Sequence, residues 1–249
     1  MCAAGVRRIG QKGRGVGVWN TNTGRLEQFW TGASDLVWLP DGKQAIVQEW
    51  TQSGNLLTRR AIDTWQPLAV AALDWGAGGC AIAEMRVSDS GNWLTTVRTS
   101  GQGEWGYDVV RVETMSREGG TESEPGYMLE PAAFSTDESR LVGGYGEGWL
   151  GDWWSHPDDD RDQPARGGVI TFGWIFVHRL PGHQVTRHEL RMDVPPGWLP
   201  EDPWDEKWCG PTGIAPLGRG VRMTLPGGEA FKSAAELPPV LELPMPQAS

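Results

Sequence analysis

Short apolar runs alternate with polar turns along this chain. The segment 37–42 (VWLPDG) is an apolar run that ends in a Pro-Asp-Gly turn, and a second apolar run follows it at 45–47. The same order returns at 87–97 and at 134–142. The turn positions 42, 91 and 138 are 49 and 47 residues apart, a spacing typical of repeat architectures. The pattern predicts a β-hairpin that recurs with a period near 48 residues.

A second series of turns, each with a glycine, supports the same period. Its glycines stand at 24, 119, 182 and 227, at intervals of 95, 63 and 45 residues. The first interval is two periods and the last is one. A fourth copy of the first turn lies near 202, which is 64 residues after 138. One repeat therefore contains about 16 extra residues, which we assign to an insertion at 143–168.

Two segments carry a family resemblance. The turn 38–42 (WLPDG) and the segment 18–24 (VWNTNTG) resemble WD40-like β-propeller repeats of the degenerate bacterial type. The resemblance covers residues 15 to 190, but the Gly-His and Trp-Asp dipeptides of that family are mostly missing. It implies an all-β fold, a small β-propeller of four-stranded antiparallel blades with strands a to d, and a single domain over 1–249.

Composition and strand order extend this picture. The 249 residues include 35 Gly and 18 Pro, which leave little room for long helices. The a–b turns at 42, 91, 138 and 202, with a further c–d turn near 65, predict five blades. In this arrangement the C-terminal segment 240–243 closes the N-terminal blade, because a shared blade leaves no exposed edge. A four-bladed ring and an open arrangement are the alternatives.

Charge and apolar runs limit the expected partners. The 22 basic and 32 acidic side chains give a formal charge of −10, which repels polyphosphate and argues against a nucleic-acid partner. No run is apolar enough for a secretory core or a membrane span, so we expect a cytoplasmic protein that does not bind membranes. Three scattered cysteines do not form a disulfide framework.

Tryptophans near the predicted b–c loops are the candidate binding residues. Strands in a blade alternate in direction, so b–c and d–a loops share one face and the insertion projects from it. Exposed aromatic rings are typical interface anchors. We expect a protein partner to bind this Trp-rich loop face through Trp50, Trp105, Trp149, Trp153, Trp154 and Trp208, together with the acidic residues Asp158, Asp159 and Asp160. Trp30 and Trp75 add to the set. The alternative, which applies most to Trp50 and Trp30, is that the rings pack onto blade edges.

The chain shows no catalytic motif. It lacks a Gly-x-Ser-x-Gly elbow, a phosphate-binding loop and a His-Glu-x-x-His pair. The acidic run 158–160 could bind a hard cation but lacks the spacing of an EF-hand. The four histidines do not have the spacing of a zinc site. We therefore expect no metal and no cofactor.

These observations favour a non-catalytic function. We expect a protein-interaction scaffold that forms part of a larger complex. A carbohydrate-binding, lectin-like propeller is the first alternative, because tryptophans beside Asp and Asn are typical of sugar sites. A propeller hydrolase is the second alternative, since carboxylate pairs beside tryptophan could support glycoside hydrolysis.

Overall fold

The described part of the chain consists of strands and turns. The computed structural model describes residues 2–7, 14–51, 54–73, 81–99, 104–121, 124–125, 127–146, 168–194, 213–217, 220–224, 230–233 and 240–242. Two compact units divide the chain, one with residues 1–102 and 106–123 and the other with residues 103–105 and 124–249.

The first unit begins with a three-stranded and a four-stranded antiparallel sheet. Each sheet follows the chain order, β1-β2-β3 and β4-β5-β6-β7. The strands of the first sheet are β1 (Cys2–Arg7), β2 (Arg14–Trp19) and β3 (Leu26–Thr31). Those of the second are β4 (Ala33–Trp38), β5 (Gln44–Thr51), β6 (Gly54–Ala61) and β7 (Pro67–Leu73).

The third sheet has the same up-and-down order, β8-β9-β10-β11, and a short strand β12 also pairs with β10. Its strands are β8 (Ala81–Val87), β9 (Trp93–Thr99), β10 (Glu104–Arg111), β11 (Ser116–Gly120) and β12 (Glu124–Pro125).

The second unit contains the two remaining sheets that the described residues form. One has the order β13-β14-β15-β16-β20 and the other the order β17-β18-β19. Their strands are β13 (Tyr127–Phe134), β14 (Arg140–Gly146), β15 (Gly168–Arg179), β16 (Val185–Val194), β17 (Gly213–Leu217), β18 (Gly220–Thr224), β19 (Ala230–Ser233) and β20 (Val240–Glu242). The predicted fold class, an all-β chain of four-stranded antiparallel propeller blades, is confirmed.

The a–b turn repeats in atomic detail at the three predicted places. In each copy the N–H of the first residue donates to the carbonyl oxygen five positions later, and the N–H of the fourth residue donates back to the first carbonyl. The first residues are Leu39, Ser88 and Ser135, with donor–acceptor distances of 2.8 to 3.0 Å. The turns at 42, 91 and 138 are therefore equivalent, and the period is confirmed for these copies. The fourth copy, near 202, lies outside the described residues.

A side chain and a positive φ angle complete each a–b turn. The oxygen of Asp41, Ser90 or Asp137 accepts the backbone N–H two residues later at 2.8 to 3.1 Å. The following residue has a left-handed backbone, with φ 64° at Gly42, 78° at Gly91 and 53° at Glu138. Glycine adopts this conformation at little cost, whereas glutamate does not.

The c–d turns are only partly where the sequence predicts them. Three of the predicted turns lie between paired strands as expected. They are the turns at 24 and 182 and the turn near 65, which has no glycine. The predicted turn at 119 is wrong, because β11 contains that residue and the chain turns at 112–115 instead.

Gly120, at the end of β11, is required by close packing and not by a turn. A Cβ at its φ of 147° would meet the Tyr107 carbonyl oxygen and approach the Asp108 Cα to 3.0 Å.

Two apolar clusters cover opposite faces of the sheet β4–β7. The buried side chains of Val16, Val18, Trp30, Ala33 and Val47 form one cluster, which joins this sheet to β2 and β3. Ile46, the neighbour of Val47 in β5, belongs to the second cluster with Leu57, Leu94 and Val110. Successive residues of a strand point to opposite faces, so β5 contributes to both cores.

The C-terminal strand does not close the N-terminal blade. We expected 240–243 beside β1, but β20 pairs in parallel with β16, placing Val240, Leu241 and Glu242 opposite Glu189, Leu190 and Arg191. A short apolar strand can cover any free edge, and sequence alone does not select one. The described sheet β1–β3 has three strands, and β20 is not one of them. The prediction of a closing blade shared by the two ends of the chain is therefore wrong.

The predicted insertion connects strands b and c of the fourth sheet. Residues 143–146 belong to β14 and residue 168 begins β15, so the connection between these strands is 147–167. Residues 147–167 lie outside the described residues. The prediction of one domain over 1–249 stays a prediction.

Candidate functional site

The residues predicted to bind a partner are described only in part. Trp50 lies near the end of β5 beside the b–c connection, and half of its surface is exposed. Trp105 lies in β10, directly after a b–c connection, but its side chain is outside the described ones. Trp149, Trp153, Trp154, Trp208, Asp158, Asp159 and Asp160 also lie outside the described residues, as does Trp75. The Trp-rich loop face therefore stays a prediction.

Trp30 is a core residue and does not belong to an exposed set. Only 8% of its surface is accessible. Its ring meets that of Trp65 edge-on, with centroids 5.1 Å apart and planes at 77°. The Arg60 guanidinium lies 5.6 Å from the ring centroid of Trp30. Such contacts anchor an interior, so the alternative of a packed ring holds for Trp30.

A groove of about 870 Å³ opens at the turn end of the sheet β4–β7. We call it the Trp65 groove. It receives residues from strand β3, from the a–b turn of the second sheet, from its c–d turn and from the start of β7. Its lining residues are Glu27, Gly42, Lys43, Gln44, Ala61, Ile62, Asp63, Trp65 and Leu68.

Trp65 is fixed in place by its backbone. The turn begins at Ala61, whose carbonyl oxygen accepts the Trp65 N–H at 2.7 Å, and the φ of Trp65 is 59°. Arg60 donates from Nη1 to the Trp65 carbonyl oxygen at 3.0 Å. The ring also packs against Trp38, with centroids 6.0 Å apart. The indole is thus held rigidly, which lowers the entropy cost of binding against it.

The two turns that form the groove are joined to each other. The Ile62 N–H donates to the Lys43 carbonyl oxygen at 2.9 Å, which connects the c–d turn to the a–b turn. The Asp41 carboxylate accepts the N–H groups of Lys43 and Gln44 at 2.8 and 3.2 Å. The floor of the groove therefore consists of backbone that is ordered before a ligand arrives.

Charged side chains surround the aromatic residue. Glu27, Lys43 and Asp63 are all exposed, and Glu27 accepts a hydrogen bond from the Asn20 Nδ2 at 2.8 Å. Leu68 adds an apolar side chain that is 51% exposed. A concave surface with apolar side chains and a few charged groups fits a ligand that carries both kinds of group.

Arg60 stabilises the aromatic residues next to the groove without lining it. Its Nη2 lies 3.4 Å from Glu49 Oε2, and that carboxylate also accepts the Thr58 hydroxyl at 3.1 Å. With the bond to the Trp65 carbonyl and the contact with Trp30, the guanidinium connects strands β5 and β6 to the aromatic cluster. These contacts are structural, because Arg60 does not line the groove.

Sequence reasoning missed this groove. The c–d turn near 65 has no glycine or Asn-Gly pair to mark it, and its left-handed position carries a tryptophan. The available signal was the segment 63–67 (DTWQP), where polar residues and a proline interrupt two apolar strands. The groove lies at the a–b and c–d turn end of its sheet, opposite the end that carries the b–c connection.

Other ionisable groups in the described residues support the fold. Asp108 is fully buried between Arg98 Nε at 3.2 Å and Arg117 Nε at 2.6 Å, and Arg98 also donates to the Thr121 carbonyl oxygen. Burial lowers the pKa of His178, whose Nε2 lies 2.6 Å from the Gly182 carbonyl oxygen. Burial raises the pKa of Asp35.

The described side chains include no group of three or more His, Cys, Asp or Glu residues placed to hold a metal ion. Nor do the described residues contain a helix that is long and apolar enough to cross a membrane.

Comparison with known proteins identifies similar folds and no family. No protein-family model matches the chain, and no curated protein matches its sequence. The chain is similar to the solved structure of hydrazine synthase from Kuenenia stuttgartiensis, with a TM-score of 0.51 and 15% identity over 86% of this chain and 56% of that one. An uncharacterized protein from Listeria monocytogenes matches with a TM-score of 0.49 and 8% identity, over 81% of this chain and 50% of that one.

A propeller domain is also among the similar structures. The β-propeller domain of the trilobed protease from Pyrococcus furiosus matches with a TM-score of 0.47 and 10% identity, over 94% of this chain and 79% of that one. The chain spans 56% and 50% of the first two matched proteins, about half of their length. At these identities the likeness concerns the fold alone.

Proposed function

We propose that this chain is a non-catalytic protein-binding module that holds its partner in the Trp65 groove. The observation that carries the proposal is the rigid indole of Trp65, which lines an open groove of about 870 Å³ together with Glu27, Lys43 and Asp63. Binding sites in protein interfaces commonly combine a fixed aromatic anchor with a polar rim. A cytoplasmic location, membership of a larger complex and the WD40-like assignment are further parts of this proposal.

The residues that line the Trp65 groove support a binding function better than a catalytic one. A nucleophile needs a base within hydrogen-bond reach, and a third group orients that base. The groove contains no serine, cysteine or histidine. Its two carboxylates, Glu27 and Asp63, are exposed to solvent.

Purification of partners from the native host tests this proposal. We expect the full chain to retain a protein that the double variant Lys43→Glu with Asp63→Lys does not retain. The two substitutions exchange the charges at the rim and leave the net charge unchanged. Asp89→Lys, at an exposed a–b turn of the third sheet, is the control. Equal retention by the groove variant and the wild type would contradict the proposal.

A carbohydrate is the second candidate ligand. An aromatic ring beside Glu27, Gln44 and Asp63 favours it, because sugars stack on aromatic faces and donate hydrogen bonds to carboxylates. Thermal unfolding in the presence of a panel of mono- and oligosaccharides distinguishes the two functions, since a ligand that binds only the folded state raises the melting temperature. A sugar that stabilises the wild type but not the double groove variant would favour the lectin-like function.

A further inference from the structure

The Trp65 groove carries more negative than positive charge. Glu27 of β3 and Asp63 of the c–d turn line it together with Lys43 of the a–b turn. Neither carboxylate forms an ion pair with another described residue, Lys43 included. Two acidic and one basic side chain give the lining a formal charge of −1, and the whole chain has a formal charge of −10. A cationic group is therefore attracted to the groove at long range and at contact.

A buried oxygen atom adds an acceptor without a donor to the groove. Gln44 is a lining residue, and its Nε2 donates to Asp41 Oδ2 at 2.9 Å, which fixes the orientation of the amide. The other amide atom, Oε1, is buried and accepts no hydrogen bond from a described residue. An acceptor in this state costs free energy, which a donor on a ligand can recover. The groove therefore favours a ligand that is rich in N–H donors.

The indole of Trp65 is suited to stacking with a guanidinium group. The molecule contains two such contacts elsewhere, since Arg60 Cζ lies 5.6 Å from the ring centroid of Trp30 and Arg111 Cζ 4.3 Å from that of Trp93. No described arginine or lysine lies over the Trp65 ring. A guanidinium is planar, is less strongly hydrated than an ammonium group and has more N–H donors, so arginine fits this surface better than lysine does.

We propose that the Trp65 groove binds an arginine side chain of the protein partner, with its guanidinium against the Trp65 ring and its N–H groups donating to Glu27 and Asp63. This inference rests on the proposed protein-binding function and names the residue that the groove recognises. Leu68, which is 51% exposed, packs against the methylene groups of the arginine, because long cationic side chains bury their apolar part along apolar surface. Lys43 repels the guanidinium and limits the affinity.

Two peptides that differ in the charge of one side chain test the proposal. Each is capped at both ends and has arginine or citrulline between two leucines. Citrulline has the shape of arginine but a neutral urea in place of the guanidinium. We expect the arginine peptide to bind the full chain at least fivefold more tightly, with a preference that decreases as salt screens the charges.

NMR titration of the nitrogen-15-labelled chain measures both affinities, because it detects weak binding at millimolar peptide. Equal binding of the two peptides would overturn the proposal, as would absence of binding by the arginine peptide.

Substitutions of similar size predict changes of opposite sign. Glu27→Gln and Asp63→Asn remove a charge but keep a side-chain oxygen, and each should weaken binding of the arginine peptide by about two- to fivefold. Lys43→Gln should strengthen it by a similar factor. Asp89→Asn is the matched control, because it removes the same charge as Asp63→Asn from an exposed a–b turn of the third sheet and should leave the affinity unchanged. Equal effects of these two variants would overturn recognition in the groove.

The natural partner separates this proposal from the proposed function. Retention of the partner by the wild type, and its loss in Lys43→Glu with Asp63→Lys, would support binding in the groove. The double variant Glu27→Gln with Asp63→Asn should then retain less partner than Asp89→Asn does. Full retention by that double variant would overturn arginine recognition and leave the proposed function in place.

Discussion

The rings of Trp30 and Trp65 meet edge-on, with centroids 5.1 Å apart and an interplanar angle of 77°. Trp30 is buried in β3, whereas Trp65 is half-buried in the c–d turn of the second sheet and lines the groove. The contact connects the apolar core to the candidate binding surface. The position of the Trp65 ring in the groove therefore depends on its contact with the buried Trp30.

Removing either ring should destabilise the first unit. We expect Trp30→Ala to lower the free energy of unfolding by about 3 kcal/mol or more, the usual cost of emptying a buried aromatic site. A double-mutant cycle with Trp65→Ala should give a coupling of about 1 kcal/mol, because the edge-on contact contributes beyond buried area. Urea unfolding measures both values. Strictly additive losses would show that the two rings act independently.

The a–b turns allow a matched comparison of backbone conformation. Glu138→Gly should stabilise the chain by about 1 kcal/mol, since its φ of 53° is costly for a residue with a Cβ. Gly42→Ala should destabilise by a similar amount through its φ alone, because a Cβ there meets nothing within 4 Å. Gly91→Ala should cost more, as its Cβ would lie 3.0 Å from Pro40 Cδ. Urea unfolding of the three variants tests this order, and a destabilised Glu138→Gly would contradict it.

The buried carboxylate of Asp108 should be sensitive to loss of its charge. Asp108→Asn leaves Arg98, which is 8% exposed, without its counter-charge, and we expect a loss of about 3 kcal/mol or more. Arg117→Gln is the matched control. The Arg117 side chain is 47% exposed, so removing its charge should cost about 1 kcal/mol or less. Equal losses in the two variants would show that burial of Arg98 does not set the cost.

His178 should make stability depend on pH. Burial lowers its pKa below the ordinary value of 6.5, so the unfolded chain binds a proton more readily than the folded chain. The stabilisation is complete above pH 6.5 and decreases as the pH falls from 6.5 towards the lowered pKa. His178→Gln should reduce this decrease, and His183→Gln should reduce it by less, because repulsion from His183 is a smaller cause of the lowered pKa of His178 than burial is. Urea unfolding at pH 7.5 and 5.5 measures how the free energy of unfolding changes with pH. An unchanged pH dependence in His178→Gln would exclude His178 as its cause.

Sequence periodicity predicted the a–b turns because the same side chains make the same bonds in each copy. Asp41 and Asp137 both accept backbone N–H groups, and Gly42 and Gly91 both supply the positive φ. The c–d turns were harder to predict. Two of them place Trp65 and Met115 at positive φ, where sequence rules expect glycine.

The candidate groove depends on tertiary contacts that local patterns do not contain. Lys43 and Asp63 are 20 residues apart in two turns of the second sheet, and Glu27 joins them in the groove only because β3 packs beside that sheet. The sequence pointed instead to tryptophans near b–c loops, and of these only Trp50 has a described side chain. Its 50% exposure fits an interface residue, and its partner role stays a prediction.

Site-specific photo-crosslinking tests the central claim, that the Trp65 groove binds a protein partner, most directly. A photoreactive amino acid at position 68, which lines the groove and leaves its charged residues in place, is compared with one at position 89, an exposed aspartate of another turn, and one at position 50. In the native host we predict a discrete crosslinked product from position 68 that is absent from position 89. A product from position 50 alone would contradict the groove and favour the Trp-rich loop face.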